Sequence, residues 1–171
     1  MANLGITKYG NEVLRKVAEP VEEINDEIIK IVNDMLDTLY SSKDGVGLAA
    51  PQIGVSKRII VIDTNPSDDS SKPIVLINPE IVEKDGEISA EEGCLSVPEI
   101  RGDVKRYVKV VIEALDLDGN RIRLEGTDLL ARVFQHEIDH INGTLFIDHL
   151  SRLKQQLLKN RLRKIEKGQT K

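Results

Sequence analysis

The chain has 171 residues, of which 40% are hydrophobic and 3% are aromatic, and its formal net charge is −5. This length and apolar content predict one domain, residues 1–171, with a single core. The few aromatic rings leave little stacking surface for single-stranded nucleic acid, and we expect no sequence-specific nucleic-acid partner. No apolar run reaches the ~18 residues of a membrane helix, and residues 1–10 lack the apolar core of a signal peptide. We therefore expect no membrane partner and a cytoplasmic location, or an organelle after loss of a transit peptide.

The first half of the chain predicts a helix followed by two strands. Asn25 is a favourable N-cap, and an apolar stripe follows it at helical spacing, formed by Ile28, Ile31, Val32, Met35 and Leu39. The apolar runs 58–63 and 74–77 predict strands, and the polar residues 65–71 between them predict a surface loop.

The second half predicts a hairpin and then a helix. Residues 108–117 and 121–124 flank Asp118-Gly119-Asn120, a sequence that tolerates the positive φ angles of a tight turn. Thr127 and Asp128 favour a helix start, and Asn142-Gly143 favours its end. Strands joined by short turns, with separate helices, predict an α+β fold with antiparallel β-sheets packed around this central helix, an N-terminal helix and a C-terminal basic helix.

The central helix carries His136 and His140 four residues apart, with Glu137 beside the first. Positions i and i+4 share one helix face, so both imidazoles can reach one cation, whereas Glu137 can hold a water instead. Solvated or core histidines are the alternative, but a helix this apolar is largely buried and its polar side chains need partners. The pattern indicates a metal-dependent hydrolase, in which three protein ligands leave one position for water.

The third ligand is not specified by this motif. Asp148, His149 and Glu166 are possible downstream ligands, and Cys94 is the upstream candidate. Cys94 is the one cysteine of the chain and cannot form an internal disulfide, which indicates a reduced, intracellular protein. A lone cysteine is commonly a small buried hydrophobe, but a nearby glycine and proline indicate a turn or strand end, and its neighbours are polar.

Residues 45–54 (GVGLAAPQIG) combine small side chains with one amide. No Gly-Lys-Ser/Thr follows, and Pro51 opposes an immediate helix, so nucleotide binding is not expected. One interpretation is a flexible turn before the next strand. The other is a surface that an extended peptide approaches closely and joins as a strand. Gln52 offers a donor for a developing oxyanion.

The C-terminal segment 151–171 carries eight Lys or Arg and one acid, so its net charge is +7 and the rest of the chain carries −12. Its large apolar residues lie near helical spacing: Leu153, Leu157, Leu158, Leu162 and Ile165. We predict a basic amphipathic helix whose apolar face packs on the body of the protein. A second interpretation adds an anionic partner for the basic face.

Three motifs resemble those of the peptide deformylase family and occur in that family's order. They are residues 45–54, Glu92-Gly93-Cys94-Leu95-Ser96, and His136-Glu137-x-x-His140. Residues 10–21 are also similar to the family's opening, and the resemblance covers about residues 10–150. Departures are confined to residues 10–12, Arg132 and Ile141, which concern substrate fit or packing.

The resemblance implies a fold, a reaction and a cofactor. The family removes the formyl group from the N-terminal formyl-methionine of new polypeptides and releases formate. Cys94, His136 and His140 would hold one divalent metal, Fe²⁺ in the cell, with Zn²⁺, Ni²⁺ or Co²⁺ able to replace it. In bacterial members the terminal helix would dock on the ribosome.

The resemblance also assigns the remaining site residues. Glu137 would transfer protons, while Gln52 and the backbone N–H of Leu95 would stabilise the oxyanion. Gly47 would pair with the substrate backbone, and Arg101 would line the mouth of the methionine pocket.

Three other classes stay open from the residues themselves. A peptidase would combine the two histidines with Glu166 or Asp148. A structural metal module would need a fourth protein ligand such as His149. A ribosome- or RNA-binding protein would depend on residues 151–171 and not on the metal ligands.

Overall fold

The computed structural model describes residues 5–168. Its helices and strands in chain order are α1 (Asp26–Ser41), β1 (Gly47–Ala49), β2 (Ile59–Ile62), β3 (Ile74–Asp85), β4 (Ile88–Cys94), β5 (Val97–Arg106), β6 (Lys109–Leu115), β7 (Arg121–Thr127), α2 (Asp128–Ile141) and α3 (Arg152–Glu166). Short 3-10 helices cover Glu12–Arg15, Ala50–Ile53 and Phe146–His149. Residues 1–4 and 169–171 lie outside the described residues. The first segment belongs to residues 1–10, which were expected to lack a signal-peptide core, and the second includes the basic Lys171. Within 5–168, no helix is long and apolar enough to cross a bilayer.

Five strands form one antiparallel sheet in the order β1-β2-β3-β6-β7. Along β2, Ile59 and Val61 pack in the cluster formed with α1, while Ile60 and Ile62 pack in the cluster formed with α2. The two helices therefore cover opposite faces of the sheet. A strand buried on both faces needs a continuous apolar run instead of an alternating one, which explains the sequence Ile-Ile-Val-Ile.

The predicted α+β class is confirmed. The N-terminal helix begins at its predicted cap, and the central helix begins and ends at its predicted signals. The side chain of Asn25 accepts a hydrogen bond from the Ile28 N–H at 3.1 Å and so caps α1. Gly143 follows α2 with φ +79°, a conformation that favours glycine after a helix end.

The strand predicted at 58–63 and the hairpin predicted around Asp118-Gly119-Asn120 are found as β2 and as β6 paired with β7, but two other strand regions differ from the prediction. The strand expected at 74–77 continues to Asp85, because its polar half pairs with β6. β4 and β5 form a separate two-stranded sheet that was not predicted. Burial alternates along β5, but Gly102 and Arg106 occupy two of its buried positions, so the sequence lacks the apolar alternation that indicates a strand.

Residues 47–53 form β1 followed by a 3-10 turn and not a flexible turn. Pro51 lies in the first turn of that short helix, where its missing N–H is tolerated. The expectation that Pro51 opposes an immediate helix was therefore wrong for this short element.

The basic helix α3 packs on the body through fewer apolar residues than predicted. Leu158 and Ile165 are buried against β5 and the Phe146–His149 turn, and Leu162 is partly buried there. Leu153 and Leu157 are 66% and 69% exposed, so the prediction of their burial was wrong. Only one side of α3 packs on the rest of the protein, and Leu153 and Leu157 do not lie on that side.

Candidate metal centre and active site

Cys94 and two histidines of α2 converge on one point. Cys94 ends β4, whereas His136 and His140 lie one turn apart on α2. His140 Nε2 is 3.3 Å from Cys94 Sγ and 3.3 Å from His136 Nε2, and the three donor atoms lie within 4.8 Å of one another. In the part of the chain that the structure describes, this is the one such group of His, Cys, Asp or Glu side chains able to hold a metal ion.

The donor set fits a divalent transition metal. Ligands about 2.0–2.3 Å from a tetrahedral ion lie roughly 3.3–3.8 Å apart, and the two distances from His140 Nε2, 3.3 Å each, fall at the lower end of this range. Burial opposes ionisation of the Cys94 thiol, but the neighbouring His140 and His136 outweigh it and hold its pKa well below the ordinary value. The thiolate is the form of cysteine that binds metal.

A buried carboxylate orients His136. Its Nδ1 lies 3.0 Å from Glu92 Oε1. An Nδ1–H donated to this carboxylate leaves Nε2 with the free lone pair, on the side of Cys94 and His140. Burial alone would raise the pKa of Glu92, but Arg106 and His136 lower it far below the ordinary value and keep the carboxylate ionised.

Glu92 belongs to an ion network that was not predicted from the sequence. Arg106 donates to both Glu92 oxygens, at 2.8 and 3.0 Å, and its Nη1 reaches Asp139 at 2.6 Å. Arg132 adds a bond to Glu92 at 2.5 Å, and His149 Nε2 lies 2.8 Å from Asp139. The network ties the β4–β5 hairpin to α2. The sequence pointed to this network only through Glu92, which lies within the cysteine motif. The partners of Glu92 are distant from it in sequence, so no local pattern relates them.

Glu137 is buried beside the donor atoms and is not one of them. Its Oε1 has no hydrogen-bond partner within residues 5–168. Burial raises the pKa of this carboxyl, although the two histidines partly lower it. A buried carboxyl with a raised pKa and a free oxygen is suited to accept a proton and return it.

Gly47 contacts the Glu137 carboxylate from β1. A Cβ at Gly47 would lie 2.8 Å from Glu137 Oε2 and 3.0 Å from Val133 Cγ1. This glycine therefore leaves room for the catalytic candidate, a constraint that was not deduced from the sequence. The position also lines the cavity beside the donor atoms.

We expect Gly47→Ala to lower kcat by ~10²-fold, because displacing a reacting group by about 1 Å can cost that much. The measurement is turnover of the substrate that the resemblance implies, a formyl-methionyl peptide, with melting temperature as the check on folding. Gly5→Ala is the matched control, since no atom of residues 5–168 lies within 4 Å of a Cβ built there. A kcat equal to that of the control would show that the carboxylate tolerates the methyl group.

Gln52 is held with its amide nitrogen beside the cysteine. Its Oε1 accepts from the Ala49 N–H at 3.0 Å, while Nε2 lies 3.1 Å from Ser96 Oγ and 3.5 Å from Cys94 Sγ. The bond from Ala49 fixes which end of the amide faces the donor atoms. A preoriented N–H of this kind stabilises negative charge that develops on a substrate oxygen.

A cavity of about 510 Å³ adjoins these groups, within the range of small-ligand sites. Its walls come from Lys8, residues 44–47, Gln52, residues 91–95 and 97–101 of the β4–β5 hairpin, and α2. Leu95 lies in the hairpin turn, where its carbonyl accepts from Lys8 Nζ at 3.1 Å. Arg101 forms an ion pair with the exposed Glu91 at 2.7 Å. Its guanidinium also lies against Gly93, where an added Cβ would be 2.7 Å from Arg101 Nη1. The predicted catalytic and substrate residues thus line one cavity together with Cys94 and His136, and the buried His140 contacts these two side chains.

The alternative ligands lie elsewhere. Asp148 pairs with Arg15 at 2.6 Å, and Glu166 lies at the end of α3 against Gly10. His149 belongs to the Glu92 network, outside the group formed by the sulfur and the two imidazoles. The peptidase and the four-ligand structural site therefore lack their additional ligands.

Comparison with known proteins agrees with this geometry. Residues 3–156 match the family described as polypeptide deformylase. Peptide deformylases of Thermodesulfovibrio yellowstonii and Acidobacterium capsulatum are each 49% identical over 163 residues, which cover 95% of this chain and 98% and 95% of those proteins.

Solved structures show the same relationship. A peptide deformylase from Legionella pneumophila is 48% identical with a TM-score of 0.90, and the match covers 98% of both chains. The Synechococcus elongatus peptide deformylase in complex with actinonin is 42% identical with a TM-score of 0.88, covering 94% of this chain and 89% of that one. Sequence and fold agree along nearly the whole length, so the chain belongs to the polypeptide deformylase family, the metal-dependent hydrolases that remove the N-terminal formyl group of new polypeptides.

Proposed function

We propose that Cys94, His136 and His140 hold one divalent metal ion and that Glu137 carries out the proton transfers of deformylation. The observation that carries this proposal is the convergence of one sulfur and two imidazole nitrogens within 4.8 Å, beside a buried carboxyl with a free oxygen. When bound, the metal supplies a Lewis acid that lowers the pKa of a water towards ~7 and polarises the formyl carbonyl.

Glu137 accepts a proton from the attacking water and delivers one to the leaving amine. The water oxygen bonds to the formyl carbon, the C–N bond of the formamide breaks, and the products are formate and a free amino group. Both transfers need a carboxyl whose pKa lies nearer to neutrality than usual, and burial shifts Glu137 in that direction.

Gln52 and the backbone N–H of Leu95 stabilise the oxyanion that forms at the formyl carbon. One such donor typically contributes ~10²–10³ in rate. Gly47 lies on β1, an edge strand of the five-stranded sheet, so its backbone is available to pair with an extended substrate. Arg101, which lines the cavity from β5, lies at the mouth of the methionine pocket.

The experiment that tests this function compares two bonds of one substrate. A short formyl-methionyl peptide is incubated with anaerobically purified protein, and formate release and internal peptide cleavage are measured together with bound metal. We expect formate release in proportion to bound metal and no internal cleavage. Internal cleavage without formate would support a peptidase instead.

We propose Fe²⁺ as the metal in the cell, with Zn²⁺, Ni²⁺ or Co²⁺ able to take the same ligands. A ligating thiolate is shielded, so Cys94 should be alkylated slowly in metal-loaded protein and rapidly after chelation. Mass spectrometry gives an unambiguous readout, because the chain has one cysteine. Rapid alkylation of fully loaded, active protein would remove Cys94 from the ligand set.

We also propose that the protein works in the cytoplasm on nascent chains and that the exposed basic face of α3 contacts the ribosome. The double variant Lys154→Glu/Lys159→Glu should bind ribosomes more weakly than the unmodified protein, and salt should weaken both, because phosphate contacts release counterions. Formate release from a short peptide should not change. Lys16→Glu/Lys72→Glu makes the same charge change at exposed positions elsewhere. Equal losses in both variants would indicate a general charge effect. Deleting α3 from Lys159 is a poor test, because it removes the buried Ile165.

A further inference from the structure

The cavity wall contains a three-residue bulge in β5. Cys94 pairs with Val97, but the preceding Gly93 pairs with Arg101, so residues 98–100 have no partner on β4. All three of these residues line the cavity beside the metal-binding group. Bulges of this kind commonly lie next to active sites, where they change the direction of side chains.

The middle residue of the bulge has an unfavourable backbone conformation. Glu99 has a φ of +66°, a region that residues other than glycine seldom adopt. Such a conformation persists only where surrounding contacts maintain it. The contacts that maintain the bulge therefore also control the shape of this part of the cavity.

Two contacts to the bulge come from the C-terminal helix α3. The Nη2 of Arg161 donates a hydrogen bond to the carbonyl oxygen of Glu99. The next residue of the bulge, Ile100, is buried in the cluster that contains Leu158 and Ile165 of α3. The helix thus holds the bulge from its outer side, away from the groups that react.

We infer that Arg161 is a positioning residue for substrate binding, which holds the β5 bulge in the shape that accepts a formyl-methionyl peptide. This inference rests on the proposal that the cavity takes the substrate. Arg161 touches neither Glu137 nor the metal-binding group. Its loss therefore changes KM and leaves kcat nearly unchanged.

The test is a double-mutant cycle on the full-length, metal-loaded protein. Arg161→Ala should raise KM for a formyl-methionyl peptide by about 3- to 10-fold, the scale of one lost hydrogen bond. Glycine adopts positive φ without strain. In the Glu99→Gly background the bulge therefore does not need the Arg161 hydrogen bond to keep its conformation. The same Arg161→Ala change should alter KM there by less than about twofold. Each ratio compares two proteins that share residue 99, so any effect of Glu99→Gly itself cancels.

Arg163→Ala is the matched control for Arg161→Ala. It removes the same charge from an exposed position of the same helix and should leave KM unchanged. An unchanged KM in Arg161→Ala, an equal rise in Arg163→Ala, or an equal rise in the Glu99→Gly background would each overturn the inference. Loss of kcat without a change in KM would do the same. Absence of formate release by the unmodified protein would instead count against the proposed function.

Discussion

Glu137→Ala should lower formate release by at least ~10²–10⁴-fold while the protein keeps its metal and its fold. The loss follows from removing the group that we propose transfers both protons. Metal should stay bound, because Glu137 is not one of the three converging donors. The fold should persist because alanine is the most favourable helix residue and the lost oxygen Oε1 has no partner among residues 5–168.

Two companion variants make this result specific. Glu137→Gln has nearly the same size, so an equal loss of activity would assign the effect to proton transfer and not to the space left by alanine. His136→Ala should instead lose metal and stability together, because metal binding is coupled to folding. Bound metal, melting temperature and formate release are measured for all three. Near-normal formate release by metal-loaded Glu137→Ala would refute the mechanism, and loss of its metal would mean that the ligands are misassigned.

Arg106→Met should destabilise the protein by about 3 kcal/mol and weaken its metal binding by roughly 10- to 100-fold. The side chains of Arg106 and Glu92 are 4% and 5% exposed, so removing the cation leaves a buried carboxylate with fewer partners. Arg132 and His136 still bond to Glu92, which places the cost at the lower end for a broken buried pair. The metal effect follows because Glu92 sets the orientation of His136.

Arg123→Met is the matched control for this prediction. Arg123 also pairs with two carboxylates, Glu113 and Glu83, but its side chain is 52% exposed. Exposed pairs contribute about 0–1 kcal/mol, so this variant should change stability little and metal affinity not at all. Urea unfolding of chelated protein gives the free energy of unfolding, and metal competition gives affinity. Equal destabilisation by both variants would mean that burial of the Glu92 network has no particular importance.

Local sequence was sufficient wherever the deciding interactions are local. The Asn25 cap, the glycine after α2 and the spacing of His136 and His140 depend on residues within about one turn. These local features are enough to predict that both histidines lie on one face of the helix. The choice of Cys94 as their partner was different, because the residues left several candidates open and the family resemblance was what pointed to it.

Contacts between distant segments were decided by the tertiary structure. The Glu92–Arg106–Asp139 network and the fit of Gly47 against Glu137 each join elements that sequence spacing does not relate. The bulge at Glu99 and its contact with α3 are likewise invisible in residue patterns.

The chain by itself determined the helix that carries the metal motif, the apolar strand at 58–63, the basic C-terminal helix and, by resemblance, the deformylase reaction. The tertiary structure decided which side of α3 is buried, how the β4–β5 hairpin meets α2, and which carboxylate orients His136. The physical reason is that periodicity and capping are short-range properties of the backbone. Buried ion pairs and close packing depend instead on which surfaces the fold brings together, and no local pattern encodes that.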